Sequence, residues 1–217
     1  MTMNQSRSYG AKTPIAVCFS SYSLPIELKA FLDALPGSAN GHPLSPVTST
    51  KYSGDIFNPA RAANALIREA CSQGACDVIV KTDVDCRFTD AFWIAIERVK
   101  EGFAIAPIIG FYDRNRNVCI RRTGPSGTVA MHKADWMSLY GYDERMSGHG
   151  HEDGAFLDRA RNHKIIIERT EGNLVTHTWH PRRISPWYPR RRKENIRITQ
   201  AIEQGKMCEW NNQEWGL

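Results

Sequence analysis

A β-branched run at residues 77–82 (DVIVKT) passes straight into Asp83-Val84-Asp85, inside a chain that alternates strand and helix signals along most of its length. An apolar run of this size, rich in Val and Ile, reads as a central strand. Upstream, residues 14–20 (PIAVCFS) read as a first buried strand, and residues 24–35 as a helix with Ile26, Leu28, Ala30, Phe31 and Leu35 on its apolar side. Residues 47–52 offer a short strand. A second helix is expected from Asn58, a good N-cap, with Pro59 at the first helical position and Ala62, Ala63, Leu66, Ile67 and Ala70 as its stripe. Beyond Asp85, Thr89 can cap a helix that Gly102 stops, and residues 103–109 read as a strand. Residues 112–127 read as an irregular or hairpin segment, 128–131 as a strand, 133–140 as a turn or two of helix, 152–162 as a helix, and 164–168 and 173–177 as strands. This alternation predicts an α/β sandwich around a mostly parallel sheet.

The chain of 217 residues is long enough for one domain with a sizeable core. Its parts are expected to be a flexible N-terminus (1–12), a catalytic domain (13–181) and a basic, aromatic C-terminal segment (182–217) packing on or closing over the site. No apolar run approaches the roughly 18 residues that span a bilayer. The polar start lacks the apolar core of a signal peptide, which implies a cytoplasmic setting. Six scattered cysteines without a C-x-x-C pair read as reduced thiols rather than a disulfide framework or zinc site. The net charge is +5, and Arg182, Arg183, Arg190, Arg191, Arg192 and Lys193 are concentrated around Trp187 and Tyr188. Basic residues mixed with aromatics can grip a phosphate backbone and stack on bases. They can equally form a solvated face or close over a nucleotide diphosphate.

Three constellations can carry chemistry. Asp83 and Asp85 lie two apart on an extended chain, so both carboxylates point to one side. The crevice at the carboxyl ends of parallel strands is where α/β sheets bind ligands. Paired carboxylates there suit Mg²⁺ or Mn²⁺, which in turn neutralises a leaving diphosphate. A plain acidic turn has the same appearance. Glu152 and Asp153 follow Gly148-His149-Gly150-His151 and fall in the first turn of a helix. The positive helix end favours their ionised form, as it does for any acidic N-terminus. A carboxylate at a cleft mouth can also act as general base. His177, in the run Thr176-His177-Thr178, can add a nitrogen to a site of oxygen ligands, which favours Mn²⁺ over Ca²⁺.

Taken in order, these features resemble the GT-A glycosyltransferases, and within them the β-1,4-galactosyltransferase branch. The segment Phe57-Asn58-Pro59-Ala60-Arg61-Ala62-Ala63-Asn64 is similar to that branch's F-N-R-A-K-x-x-N helix start, and residues 77–85 to its strand leading into D-V-D. Gly127 to Met131 resembles its strand after a G-G turn, Gly141-Tyr142-Asp143-Glu144 its N-G-F-P-N-x loop, Gly148 to Asp153 its G-W-G-G-E-D, and Leu174 to His177 the end of its metal-binding strand.

The resemblance implies a metal-dependent glycosyltransferase that moves a sugar from a nucleotide-sugar, a UDP-sugar, with inversion. It implies Asp85 and His177 as metal ligands, with Asp83 near the metal or nucleotide. It implies Ser20, Ser21, Tyr22, Phe57 and Arg61 at the nucleotide, Asp153 as base with Glu152 beside it, and His149, Gly150 and Trp136 at the acceptor. The acceptor class stays open between a glycan, a small molecule and a modified DNA base. A metal-dependent nucleotidyltransferase or nuclease is the reading from a different class. The sequence departs from the pattern at Pro59, at Ser20-Ser21-Tyr22 and at His149, where the branch has Arg, P-F-R and Trp.

Overall fold

The computed structural model describes residues 12–20, 25–49, 58–72, 76–112, 119–122, 127–148, 150–178, 188–204 and 215. In chain order the elements are β1 (Ile15–Ser20), α1 (Pro25–Ala34), β2 (Ser38–Ala39), β3 (His42–Ser49), α2 (Pro59–Ser72), β4 (Val78–Asp83), β5 (Cys86–Phe88), α3 (Asp90–Ile96), β6 (Phe103–Ile105), β7 (Ile109–Tyr112), β8 (Cys119–Arg122), β9 (Val129–His132), α4 (Lys133–Ser138), α5 (Glu152–Asn162), β10 (Ile166–Glu168), β11 (Val175–His177) and α6 (Tyr188–Glu203).

A seven-stranded sheet runs β10-β6-β9-β4-β1-β3-β2, and a four-stranded sheet runs β5-β11-β7-β8. In the larger sheet β1 pairs parallel with β3 and β4, and β10 with β6. β9 runs against both β4 and β6, and β2 runs against β3. The sheet is therefore mostly parallel, as expected, with β9 and β2 reversed.

Strand β1 is buried on both sides, which explains its unbroken apolar run. Ala16 and Cys18 face the layer built on α2, α4 and α5, while Ile15, Val17 and Phe19 face the layer containing Phe31, Phe92 and Trp93. In the first layer Trp136, Tyr142 and Phe156 stack on one another, with centroids 4.5 Å apart for Tyr142 and Phe156 and 4.7 Å for Trp136 and Phe156. Cys18, Cys71, Cys76 and Cys86 are free thiols. Burial is the largest cause raising the pKa of each, so they stay protonated and inert. Among the described residues, no helix is long and apolar enough to cross a membrane.

Two differences from the sequence reading have physical causes. The strand expected over 103–109 is two strands in different sheets, β6 and β7. Pro107 sits at the break and has no N–H to give a ladder. Its neighbours' amides instead reach sideways, Ala106 N to Glu168 O (2.9 Å) and Ile108 N to Thr170 O (3.0 Å). Part of the basic C-terminal segment is the sixteen-residue helix α6. It has little apolar stripe, so the 3.6-residue period gives no signal. Thr89 does stand at the N-cap of α3, but its hydroxyl donates to Leu174 O rather than capping the helix.

Candidate active site

Strand β4 ends at Asp83, the chain turns through Val84 and Asp85, and β5 carries it into the smaller sheet. Val84 is buried while Asp83 and Asp85 are partly exposed, and residues 84 and 85 form a turn rather than the extended chain expected there. β11 pairs antiparallel with β5, which sets His177 opposite Cys86, and Thr178 N donates to Asp85 O at 2.7 Å. As a result His177 Nε2 lies 3.1 Å from Asp85 Oδ2. The imidazole stacks on Phe111, its register partner in β7, with centroids 4.7 Å apart. An imidazole nitrogen and a carboxylate oxygen converging in this way fit a first-row divalent cation. Among the described residues, no group of three or more His, Cys, Asp or Glu side chains could hold a metal. A cation here would take its other ligands from water and substrate oxygens.

Asp83 takes a different partner. Lys81, also on β4, is buried, and its Nζ lies 3.3 Å from Asp83 Oδ1, 2.9 Å from Gly127 O and 3.7 Å from Asp153 Oδ1. It stands 5.4 Å from the centre of the Tyr142 ring. Burial disfavours its charge, but Asp83 and then Asp153 outweigh burial and hold it protonated. A Cβ at residue 127 would lie 2.4 Å from Asp83 Oδ2, so a larger residue there would have to push the half-exposed carboxylate aside.

Asp153 enters from α5. Gly148, Gly150 and His151 all have positive φ (72°, 104° and 76°), and this left-handed run turns the chain tightly into the helix. Burial pushes the pKa of Asp153 up; Lys81 and the nearby Tyr142 hydroxyl oppose this, while Glu152 and Asp83 add to it. Glu152 is raised mainly by burial, against its own N–H, Lys81 and the Gly150 N–H. Glu152 Oε2 and Asp153 Oδ1 are buried without a hydrogen-bond partner among the described residues.

The wall of the site is clamped by α2. Asn58 Oδ1 accepts from Arg61 N (2.9 Å), the expected cap, and its Nδ2 donates to Glu144 O (2.8 Å). Asn64, fully buried, donates to Tyr142 O and accepts from Tyr142 N (2.6 Å), fixing the tyrosine beneath Lys81. On the far side Asn195 of α6, 1% exposed, donates to Ser147 O (3.2 Å) and Gly150 O (2.8 Å).

Other expected site residues fall in several places. Ser20 ends β1 in register with Asp83, at the head of the sheet. Arg61 is half exposed and pairs with Glu144 Oε2 at 3.4 Å. Gly150 belongs to the loop that Asn195 holds. Ser21, Tyr22, Phe57 and His149 lie outside the described residues. Trp136 requires correction: it is fully buried, and its indole donates to Ile79 O at 3.3 Å, so it is core and cannot face an acceptor. Sequence reasoning missed Lys81, Asn64, Tyr142 and Asn195. The available signal was a lysine inside a β-branched strand, which the handful of turn-flanked apolar residues around it would not otherwise tolerate. Of the basic cluster, Arg190 and Arg191 both pair with Glu194, at 3.4 and 2.9 Å.

The sequence model of a family described as "N-terminal domain of galactosyltransferase" matches residues 120–181, the stretch that includes Glu152, Asp153 and His177. No curated protein matches the chain. Among solved structures, the catalytic domain of Drosophila β-1,4-galactosyltransferase 7 in complex with xylobiose superposes with a TM-score of 0.62 at 15% identity, covering 87% of this chain and 80% of that one. A mutant of the same enzyme, in complex with manganese, UDP-Gal and xylobiose, gives 0.55 at 15% identity over 83% and 80%. A mannosyltransferase from Pyrobaculum calidifontis, in complex with GDP-Man and Mn²⁺, gives 0.55 at 13% identity over 92% of this chain and 66% of its own. The chain has the GT-A glycosyltransferase fold of these catalytic domains.

Proposed function

We propose that the chain is a glycosyltransferase that moves a sugar from a nucleoside-diphosphate sugar, a UDP-sugar, to an acceptor hydroxyl with a divalent cation and with inversion. One observation carries the reading. A single strand end gathers Asp85 with its partner His177 and, through Asp83 and Lys81, the half-buried carboxylate Asp153. The solved relatives of this fold were described with UDP-Gal or GDP-Man, manganese and xylobiose, and the galactosyltransferase match covers the segment bearing Asp153 and His177. None of the three is described with nucleic acid, and among the described residues no further carboxylate joins Asp85 and His177 as two-metal phosphoryl chemistry would want.

Asp85 and His177 would hold Mn²⁺, whose chemistry there is to neutralise charge on the departing diphosphate. Asp153 takes the acceptor's hydroxyl proton as that oxygen bonds to the anomeric carbon. The carbon–oxygen bond to the nucleoside diphosphate breaks on the opposite face, so the configuration inverts. Glu152, beside Asp153 in the first turn of α5, holds a sugar hydroxyl. The C-terminal segment forms part of the site's wall through Asn195 and through Trp215, which is buried against the α2 layer.

The test is a screen of UDP-sugars with Mn²⁺ against glycosides and glycans, with product linkage read by NMR. The expected result is transfer from one UDP-sugar with the anomeric configuration opposite to the donor's. Retention of configuration, or transfer unaffected by chelation, would contradict the reading.

A further inference from the structure

We propose that Lys81 is a positioning residue of the transfer reaction, its buried ammonium tying the base Asp153 on α5 to the carboxylate Asp83 that ends β4. The inference rests on the glycosyltransferase reading and adds to it a buried residue that touches no substrate.

Lys81 belongs to a strand whose neighbours Ile79, Val80 and Thr82 are all fully buried. A lysine in such a place costs desolvation that valine or leucine would not incur, and it persists only where its charge is matched. Here it is matched from three directions, by Asp83 Oδ1 at 3.3 Å, by Gly127 O at 2.9 Å and by Asp153 Oδ1 at 3.7 Å. Beneath it lies the Tyr142 ring, whose main chain Asn64 fixes from both sides. The ammonium is thus held in place by β4, the start of β9 and the Tyr142 loop, and α5 is the fourth element to reach it. Its side chain is 11% exposed, so it is closed to ligand. Its reach to Asp153 is longer than a hydrogen bond, so the cation sets the position of that carboxylate without taking it as a hydrogen-bond acceptor. Asp83 and Gly127 take two of the ammonium's three N–H donors, and Asp153 is the third group beside it.

The discriminating experiment is a double-mutant cycle on the full chain, measured with a UDP-sugar, Mn²⁺ and the acceptor found by screening. Lys81→Met is expected to lower kcat by about 100-fold with donor KM within about threefold, the share of rate a well-placed base supplies. Lys81→Arg, which keeps the charge, is expected to recover about tenfold of that loss. In an Asp153→Asn background the further effect of Lys81→Met is expected to shrink below about threefold, because the two residues act as one unit. A Lys81→Met protein with unchanged kcat, or losses that simply multiply in the two backgrounds, overturns the proposal. If Lys81→Met does not fold, the deficit of Lys81→Arg must itself vanish in the Asp153→Asn background, and a deficit that persists there overturns it. An unsubstituted chain that transfers no sugar overturns the functional reading itself, and Lys81's role with it.

Discussion

Asp153→Asn is expected to lower kcat by about 10³-fold, within the range that a positioned general base contributes. The substitution keeps the side chain's shape and removes its ability to take a proton. UDP affinity should stay within about twofold, because Asp85 and His177 form their own pair away from this oxygen. The same residue sets the pH profile. Burial holds its pKa above the usual carboxylate range, with Glu152 and Asp83 reinforcing it against Lys81 and Tyr142. As pH falls through that raised value, Asp153 gains a proton and can no longer accept the acceptor's. Turnover of the unsubstituted chain should therefore fail on the acid side at a pH higher than an ordinary carboxylate would give. Steady-state rates across pH check both points. A variant that keeps its rate, or an acid limb down in the ordinary carboxylate range, would contradict the role of Asp153.

Gly141→Ala should be among the most destabilising single methyl additions in the chain. Gly141 has φ +63°, and a Cβ there would stand 2.1 Å from Asn64 Oδ1 and 2.7 Å from Trp215 Cε3. Asn64 cannot step aside without giving up both main-chain bonds to Tyr142. The Gly141 carbonyl also accepts from the buried Arg159 guanidinium, so the backbone cannot easily shift. Left-handed strain plus an unrelieved clash should cost about 4 kcal/mol. For a chain of this size that is a fall of about 8–16 °C in melting temperature. Gly102 is the control: its φ is +78° but nothing lies within 4 Å of its would-be Cβ. Gly102→Ala should cost only about 1 kcal/mol. Calorimetric melting of the two variants decides it, and equal losses would mean the Asn64 clamp is not rigid.

How much of this was legible beforehand varies by element. β1, β4, α2 and α5 fall where their patterns put them, because each carries a strong local signal: β-branched runs for the strands, Asn58-Pro59 for α2, Gly-rich turn then acidic first turn for α5. The ends of β4 and β11 were found as single features, but only strand pairing shows that Asp85 and His177 touch. Helix α6 was invisible because its most buried described side chain is Asn195, a polar residue that an apolar-stripe reading discounts. Trp136 was misplaced because an aromatic near a sugar site is a natural acceptor platform. Its neighbours Tyr142, just past the end of α4, and Phe156, on α5, are what pull it into the core. Lys81 was passed over because a lysine reads as solvent-facing by default, and the two carboxylates that hold it come from its own strand and from a helix far along the chain.

The central claim is that Asp85 and His177 present a nucleoside diphosphate through a divalent cation. Calorimetric titration of UDP, with Mn²⁺ and again with EDTA, tests it most directly in the unsubstituted chain and in Asp85→Asn. The account predicts binding with Mn²⁺ that weakens at least tenfold, about 1.4 kcal/mol, on chelation or in the variant. UDP binding of equal strength with and without the cation, and equal in Asp85→Asn, would contradict it.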